Sequence, residues 1–506
     1  MSSPGQAYTN RGIHLPPHDP ALPRNWDLAV QSAKKVTSPI DWSEADKHNT
    51  ELGLPCPSRA THRIHTGQQI RLLCTPLFLH YKATATALLP QQVGGEGCGG
   101  ILWSETEDDD WDEVRGTRWL TAKGKTRKAA LPSGEPGVPI YRKNLEGIQS
   151  VLDEMAPDFT APFAQEVMER LRVIFSPLSS YWKAHHTYLS RTVLRRLGLP
   201  ILPSHLPSIK IASAPLLSQF ALLWKEVEES LALEMKKGAS EGIPPPMKPQ
   251  EGRIHLFHFF EGKRHVVTAV DGKAQSASGI SWALSDFPQV IQDSPLSFGP
   301  DVVSRTLIKD LLFNGVGVVV GPGEIAYRRP ISPLYSLFGI AHPLLVPRPR
   351  AYLVPQSQRH LFEAAGGLEG LRDPITASER VGAQLGEESL CAIHEVRQRV
   401  ETLLSPLLEE LGGRYPGLLP TLDRVRLQMT TPLGKLSGQT ARAAHEGGES
   451  KIAHLRRLLW PDKRLQERAL SLPWAEARFG SDWAQPIEQE VSPCPNAPLI
   501  LFPPSL

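Results

Sequence analysis

Cysteine is scarce in this sequence. The five present (Cys56, Cys74, Cys98, Cys391 and Cys494) are odd in number, widely spaced and never form C-x-x-C. That argues against a disulfide framework and against a structural zinc site. Long apolar runs are also missing, since no stretch approaches the ~18–20 residues of a membrane span. The opening MSSPGQAYTN lacks the basic-then-apolar pattern of a secretory leader. The expected compartment is therefore the cytoplasm, with no membrane partner. Excess charge of either sign is absent too: 55 basic side chains face 53 acidic ones, a net charge of +2. Nothing in that balance points to nucleic acid as a partner. Neither a Walker A motif nor a D-x-D-x-D-G calcium loop occurs, and no His/Cys cluster has zinc-site spacing.

What is present is a long, mixed chain. With 506 residues, 41% hydrophobic and 21% charged, it fits a soluble globular protein of two or more domains. Proline is abundant, 47 residues against a usual share of about 5%, and much of it lies in loops such as IPPPMKP, VPRPR and LFPPSL. A polar, proline-broken start holds one helix around NWDLAVQSAKKV. RIHTGQQ ends a short apolar stretch in glycine. PLFLHYKATATALL has helical periodicity, with Pro76 in its first turn. GILW reads as a strand running into the acidic stretch SETEDDDWDEV. Residues Arg115 to Lys128 carry six basic groups and no acid, and read as a hairpin with Gly124 in the turn. Residues 146–199 read as helical, and LLSQFALLWKEVEESLALEMKK as a further helix. IPPPMKPQ is a linker. RIHLFHFF and RHVVTAVDG form a β-hairpin around Glu261-Gly262. DVVSRTLIKDLLF is a helix, GVGVVV a buried strand, and GPGEIAY breaks it and starts a new helix. Strand–loop–helix alternation of this kind is α/β. In the last quarter Ile393, Val396, Val400, Leu403 and Leu407, then Leu418, Leu422, Val425 and Met429, follow heptad-like spacing on either side of GGRYPG. Pro406 and Pro432 should bend those helices.

Three stretches could carry chemistry. In TGQQ, a glycine at a strand end lets the backbone approach a ligand, and the amides of Gln68 and Gln69 can donate and accept. An ordinary strand-to-helix turn would look the same. In GPGEIAY, Glu324 sits in a helix's first turn at a strand's carboxyl end, where α/β proteins bind ligands. It could orient an amine or act as acid or base, or simply oppose the helix dipole. The acidic stretch could be a solvated loop, a metal cage or part of a site. His185-His186 and His255/His258 are ligands in principle, without supporting spacing.

The order of TGQQ, PLFLHYKATATALL, SETEDDDWDEV, LSFGPDVVSRTLIKD, GPGEIAY with VPRPRAYLV, and KRLQERALSLPWAEARFG resembles the BshC family, the cysteine-adding enzymes of bacillithiol biosynthesis. The resemblance runs from about Asn25 to Gly480. It implies a Rossmann-like nucleotide-binding core over residues 1–375, with a mostly helical insert plus hairpin near 130–280. It implies that 376–506 form a helical coiled-coil arm and tail that makes a homodimer. The implied reaction joins L-cysteine to glucosaminyl-malate by an amide bond. ATP is the implied activator, through an adenylate or an acyl phosphate, with Mg²⁺ as a possible companion. Glu107, Asp108, Asp110 and Glu324 become the catalytic candidates, binding an amine or holding Mg²⁺. Thr66, Gly67, Gln68, Gln69, Lys82, Arg305, Gly321, Gly323 and Arg348 become candidates for substrate or nucleotide. The chain departs from the family pattern: Asp109 stands where the family has histidine, Ile70–Pro76 lacks the family's loop glycines, Gly242–Pro246 replaces a GYHPQ-like segment, and Ser304-Arg305-Thr306 replaces Leu-Arg-Pro. Those departures motivate an alternative, a repurposed homologue acting as a small-molecule-binding or scaffolding dimer.

Overall fold

In the computed structural model, the structure describes Trp26 and residues 28–31, 38–93, 95–245, 247, 250–485, 487 and 499–502. Of the expected first helix, Trp26 and 28–31 are helical. The rest of it, Cys494 and part of IPPPMKPQ lie outside the described residues.

The core is a five-stranded, all-parallel sheet. Its strands are β1 (His62–Gln68), β2 (Cys98–Ser104), β5 (Ile201–Pro203), β11 (Gly315–Val320) and β12 (Leu344–Pro347), in the spatial order β12-β11-β1-β2-β5. From β1 the chain moves outward through β2 to β5, then returns to the other side of β1 as β11 and β12. The order therefore reverses between β1 and β11, and the crevice at their carboxyl ends is where such sheets bind ligands. β11 reads GVGVVV because both its faces are covered. The helix α1 (Phe78–Val93) crosses from β1 to β2. It lies so close to β2 that a Cβ on Gly100 would come 2.3 Å from the Thr86 carbonyl oxygen. Pro76, expected in the first turn of α1, stands just ahead of it and accepts the Leu79 N–H at 3.0 Å.

Between β2 and β5 lie the hairpin β3 (Gly116–Leu120) and β4 (Thr126–Ala130) and several helices, among them α2 (Tyr181–Leu189). After β5 the expected single helix is two, α3 (Pro207–Leu222) and α4 (Trp224–Ser240), broken at Leu223. The break follows from burial. α3 is buried on almost every side, whereas α4 buries one seam of Val227, Leu231 and Met235. A second sheet is antiparallel: β6 (Arg253–Phe260), β7 (Lys263–Val270), β8 (Lys273–Ser276), β9 (Ser281–Ala283) and β10 (Phe298–Pro300). Its first turn has Glu261 and Gly262 both at positive φ, 48° and 81°, the two-residue geometry that suits a twisted hairpin. Helix α5 (Val302–Leu312) precedes β11, and α6 (Pro322–Leu337) follows it.

The last quarter is a helical hairpin, α7 (Pro374–Arg414) and α8 (Leu419–Leu459). At its base, a Cβ on Gly448 would lie 2.6 Å from the Ser378 carbonyl oxygen, so the helices cross through glycine. The chain then returns to the body. Leu470, Trp474 and Phe479 join the main core, and β14 (Leu499–Leu501) pairs in parallel with β13 (Ala351–Leu353). The described residues from 376 onward are thus an arm plus a segment that completes the body. No described helix is long and apolar enough to cross a membrane.

Candidate active site at the strand ends

At the end of β11, α6 starts from Gly321, and Glu324 turns back to accept the Gly321 N–H at 2.7 Å. This is the glutamate half of a capping box, a carboxylate three residues into the helix meeting the N-cap N–H. The same carboxylate oxygen accepts from Lys82 Nζ at 2.7 Å. Lys82 rises from α1, is 1% exposed, and also donates to the Gly67 carbonyl (2.7 Å) and Gln68 Oε1 (3.4 Å). One buried ammonium therefore joins the ends of β1 and β11 across the crevice. Burial would raise the Glu324 carboxyl, but the Lys82 charge and the hydrogen bonds from Lys82 and Gly321 hold it below its ordinary value. Burial also draws the Lys82 ammonium down, against the pull of Glu324. Gly323 opens onto free space, with nothing within 4 Å of a Cβ placed there.

The acidic stretch divides. Glu105, 8% exposed, accepts from Trp103 Nε1 (2.7 Å) and pairs with Lys309 (3.1 Å) and Arg305 (3.2 Å). A Cβ on Gly67 would lie 2.7 Å from Lys309 Nζ and 3.0 Å from Glu105 Oε1, which places this group against β1. Asp108 pairs with Arg264 (3.2 Å) and Arg305 (3.5 Å), and Asp109 with Arg264 (2.7 Å). Burial would raise Asp108, but the two guanidiniums and the N–H groups of Asp109 and Asp110 keep it lowered. Arg305 is held above its ordinary value: Glu105 and Asp108 outweigh its burial. TGQQ, the acidic stretch and GPGEIAY therefore meet through one chain of contacts: Glu324–Lys82–Gly67, then Lys309–Glu105–Arg305–Asp108.

Not every candidate joins it. Glu107 faces α3 and pairs with Lys210 at 2.6 Å. Asp110 is exposed and accepts the Glu113 N–H at 3.0 Å, capping the short helix Trp111–Val114. Burial, Asp108 and Asp112 raise its carboxyl. The Thr66 hydroxyl donates to the Val319 carbonyl at 2.8 Å, inside the sheet. Gln69 lends its carbonyl to Gln68 Nε2 (3.1 Å). Arg348 is buried and pairs with Glu467, at 2.5 and 3.0 Å, tying the end of β12 to the returning segment, and its Nε lies 3.6 Å from where a Cβ on Gly321 would stand. Glu107, Thr66 and Arg348 are taken by partners distant in sequence, whereas Asp110 caps its own turn and Gln69 gives its main-chain oxygen to its neighbour. His185 and His186 are buried. Leu73 N donates to His185 Nε2 (3.1 Å), while His186 contacts Ser104 Oγ (2.9 Å) and His48 (3.0 Å). His255 pairs with Asp301 (2.9 Å) and His258 with Ser276 (3.1 Å).

The sequence reading missed Glu105 as a pairing centre, together with Lys309, Arg264 and Lys210. Lys309 had a signal: it lies four residues after Arg305 on one helix, so both cations share a face. Beside the network lies a cavity of about 350 Å³ between α4, the β6–β7 hairpin, the start of α5 and the acidic stretch. Asp108, Asp109, Arg264 and Arg305 line it.

A parallel sheet in the order β5-β2-β1-β11-β12 with a charged cluster at its switch point defines a Rossmann-like α/β protein with its site at the strand ends. The family model for the "Bacillithiol biosynthesis BshC, N-terminal Rossmann-like domain" matches residues 34–349. The chain belongs to the BshC family. Among curated relatives, the "Putative cysteine ligase BshC" of Bacillus cytotoxicus is 22% identical over 452 residues, covering 85% of this chain and 82% of that one. The protein of the same name from Symbiobacterium thermophilum is 25% identical over 465 residues, covering 84% and 81%. That from Shouchella clausii is 25% identical over 430 residues, covering 80% and 77%. The family resemblance carried by the six segments therefore holds.

Proposed function

We propose that this chain is a ligase of bacillithiol biosynthesis that joins the carboxyl of L-cysteine to the amine of glucosaminyl-malate. The observation that carries the reading is the Lys82–Glu324 pair across the switch point, 2.7 Å long and continuous with the Glu105–Arg305–Asp108 network. Amide formation needs a positioned carboxylate, an amine kept unprotonated and a place for the displaced group. Lys82 and Lys309 offer cations for the carboxylate. Asp108 offers an acceptor for the amine.

ATP fits this crevice by its chemistry. The Gly-Pro-Gly turn opens α6, a helix of 16 residues, and Gly323 leaves space beside it. A helix N-terminus of this kind suits phosphate. The Gly321–Gly323 turn is the group that would hold it, with Lys82 and Lys309 left to the carboxylate. When bound, ATP supplies the leaving group that a free carboxylate lacks. Among the described residues no three of His, Cys, Asp and Glu converge as a metal cage. Mg²⁺ would therefore ride on the phosphates with one or two carboxylates, as it commonly does.

The arm supports a homodimer. Val396, Leu403 and Leu407 are 48%, 77% and 52% exposed on α7, an apolar stripe that its own chain covers only in part. A repurposed small-molecule-binding dimer is the second reading, favoured by Asp109, which is locked to Arg264 where the family has histidine. Two measurements test the choice: thiol profiles of cells with and without the gene, and cysteine-dependent ATP turnover with glucosaminyl-malate. Bacillithiol unchanged on deletion and no turnover with any amine would overturn the ligase reading. On that reading Asp109→His raises turnover, and brisk wild-type turnover that Asp109→His lowers would show Asp109 adapted to the reaction.

A further inference from the structure

The strand-end cluster leaves the neighbouring cavity unexplained. We propose that this cavity binds the amine-bearing co-substrate, a small zwitterion carrying at least one carboxylate, so that the antiparallel sheet and α4 choose the acceptor. Only the name of that co-substrate rests on the ligase reading; the binding chemistry comes from the walls.

One wall is cationic. Phe257 has the Arg264 guanidinium 3.9 Å and the Arg253 guanidinium 5.0 Å from its ring centroid. Both arginines line the cavity and are 9% and 7% exposed. Among the described residues the Nε of each makes no hydrogen bond, although Arg253 Nε lies 3.6 Å from Asp301. Buried donors without acceptors are costly. A ligand carboxylate at this wall would take charge-assisted bonds from the guanidinium N–H groups that border the cavity. Asp108 and Asp109 border the same space in contact with Arg264, at 3.2 and 2.7 Å. An ammonium there would share the carboxylates that Arg264 now holds, and release guanidinium N–H groups toward the ligand's acid. Leu231, Met235 and Met247 form an aliphatic side, and methionine adapts readily to an irregular carbon frame. At about 350 Å³ the cavity is of small-ligand size. Its shared wall of Arg305 and Asp108 puts the acceptor amine next to the strand-end network.

The test is calorimetric titration of glucosaminyl-malate, glucosamine and L-cysteine into the full chain, as wild type, Arg264→Gln and Met235→Trp. Wild type should bind glucosaminyl-malate. Arg264→Gln should weaken that binding at least tenfold, and Met235→Trp, which fills the cavity, should remove it. L-cysteine binding should be unchanged in both variants. Glucosamine, lacking the carboxylates, should bind more weakly and be indifferent to Arg264→Gln. If Met235→Trp fails to fold, Arg264→Gln still decides. A wild type that binds no glucosaminyl-malate, or variants that bind it as wild type does, would overturn the proposal. Amide product with an unchanged acceptor KM in the variants refutes this site and leaves the ligase standing. Carboxylate-dependent binding without amide product refutes the ligase and leaves this site standing.

Discussion

Replacing Lys82 by methionine keeps the length of the side chain and deletes the charge that joins β1 to β11. The ammonium is 1% exposed and holds Gly67 O at 2.7 Å, Gln68 Oε1 at 3.4 Å and Glu324 Oε2 at 2.7 Å. Without it, Glu324 keeps the Gly321 N–H at 2.7 Å but has lost its counter-charge. Breaking a buried ion pair by removing one partner costs about 3–5 kcal/mol. The Glu324 side chain is 23% exposed, so water reaches it, and the lower end, about 3 kcal/mol, applies. Lys82→Met with Glu324→Gln removes both charges and should be less destabilised than Lys82→Met alone. The pairwise coupling should be about 2 kcal/mol, within the range for contacting residues. Urea unfolding of wild type, both single variants and the double variant gives the cycle. Ligase turnover on the same four proteins separates stability from chemistry, because the double variant should regain stability without regaining activity. A Lys82→Met loss below about 1 kcal/mol, or strictly additive effects, would refute the claim that this pair holds the crevice together.

Asp310, fully buried, holds His65 (2.6 Å), Arg328 (2.9 Å) and the Tyr335 hydroxyl, so Asp310→Asn should cost about 3 kcal/mol or more in urea unfolding. It should lower turnover as well, since its partners lie on the elements that carry Gly67 and Glu324, and a nearly neutral substitution would refute this. Burial draws His185 from 6.5 to about 4, against the hydrogen bond to the Tyr181 carbonyl. Protonation then favours the unfolded chain: the stability is present above pH 6.5 and is lost as pH falls toward about 4, by roughly 3 kcal/mol. Unfolding midpoints from pH 6.5 to 4 should fall less steeply for His185→Asn, and an unchanged slope would contradict the assignment. Sedimentation should show a dimer that Val396→Glu with Leu403→Glu converts to monomer, while a wild type already monomeric at micromolar concentration would rule the dimer out.

Elements whose signals are local were legible in the sequence. β11 announced itself as an apolar run closed by Gly-Pro-Gly, the hairpin by Glu261-Gly262, and the long helices by their period. β1 was not legible as a central strand, because His62, Arg63, His65 and Thr66 are polar yet at most 1% exposed. His65 and Thr66 are satisfied by groups some 250 residues away, Asp310 and the Val319 carbonyl, and Arg63 bonds the equally distant Phe313 carbonyl besides the nearby carbonyls of Pro57 and Ala60. The same separation hid Glu105. It sits in an obvious acidic run, but its cations Arg305 and Lys309 come from α5, and no local pattern marks which of seven carboxylates turns inward. The partner of Arg348 was hidden for the matching reason, since Glu467 lies 119 residues further on.

The return of the chain to its body after the arm bears on synthesis. Arg348 is buried beside a carboxylate supplied by Glu467, and β13 finds its neighbour only at Leu499–Leu501. Domains usually fold in the order they leave the ribosome, at about 5–20 residues per second. Here the α/β body must wait while the whole arm, α7 and α8, is translated. For several seconds the nascent chain holds a sheet with its charged strand ends in place, an open edge at β13 and an Arg348 still awaiting the Glu467 carboxylate. A cell making this protein therefore has to shelter an unfinished body, and slow codons placed in the arm would lengthen that exposure rather than relieve it.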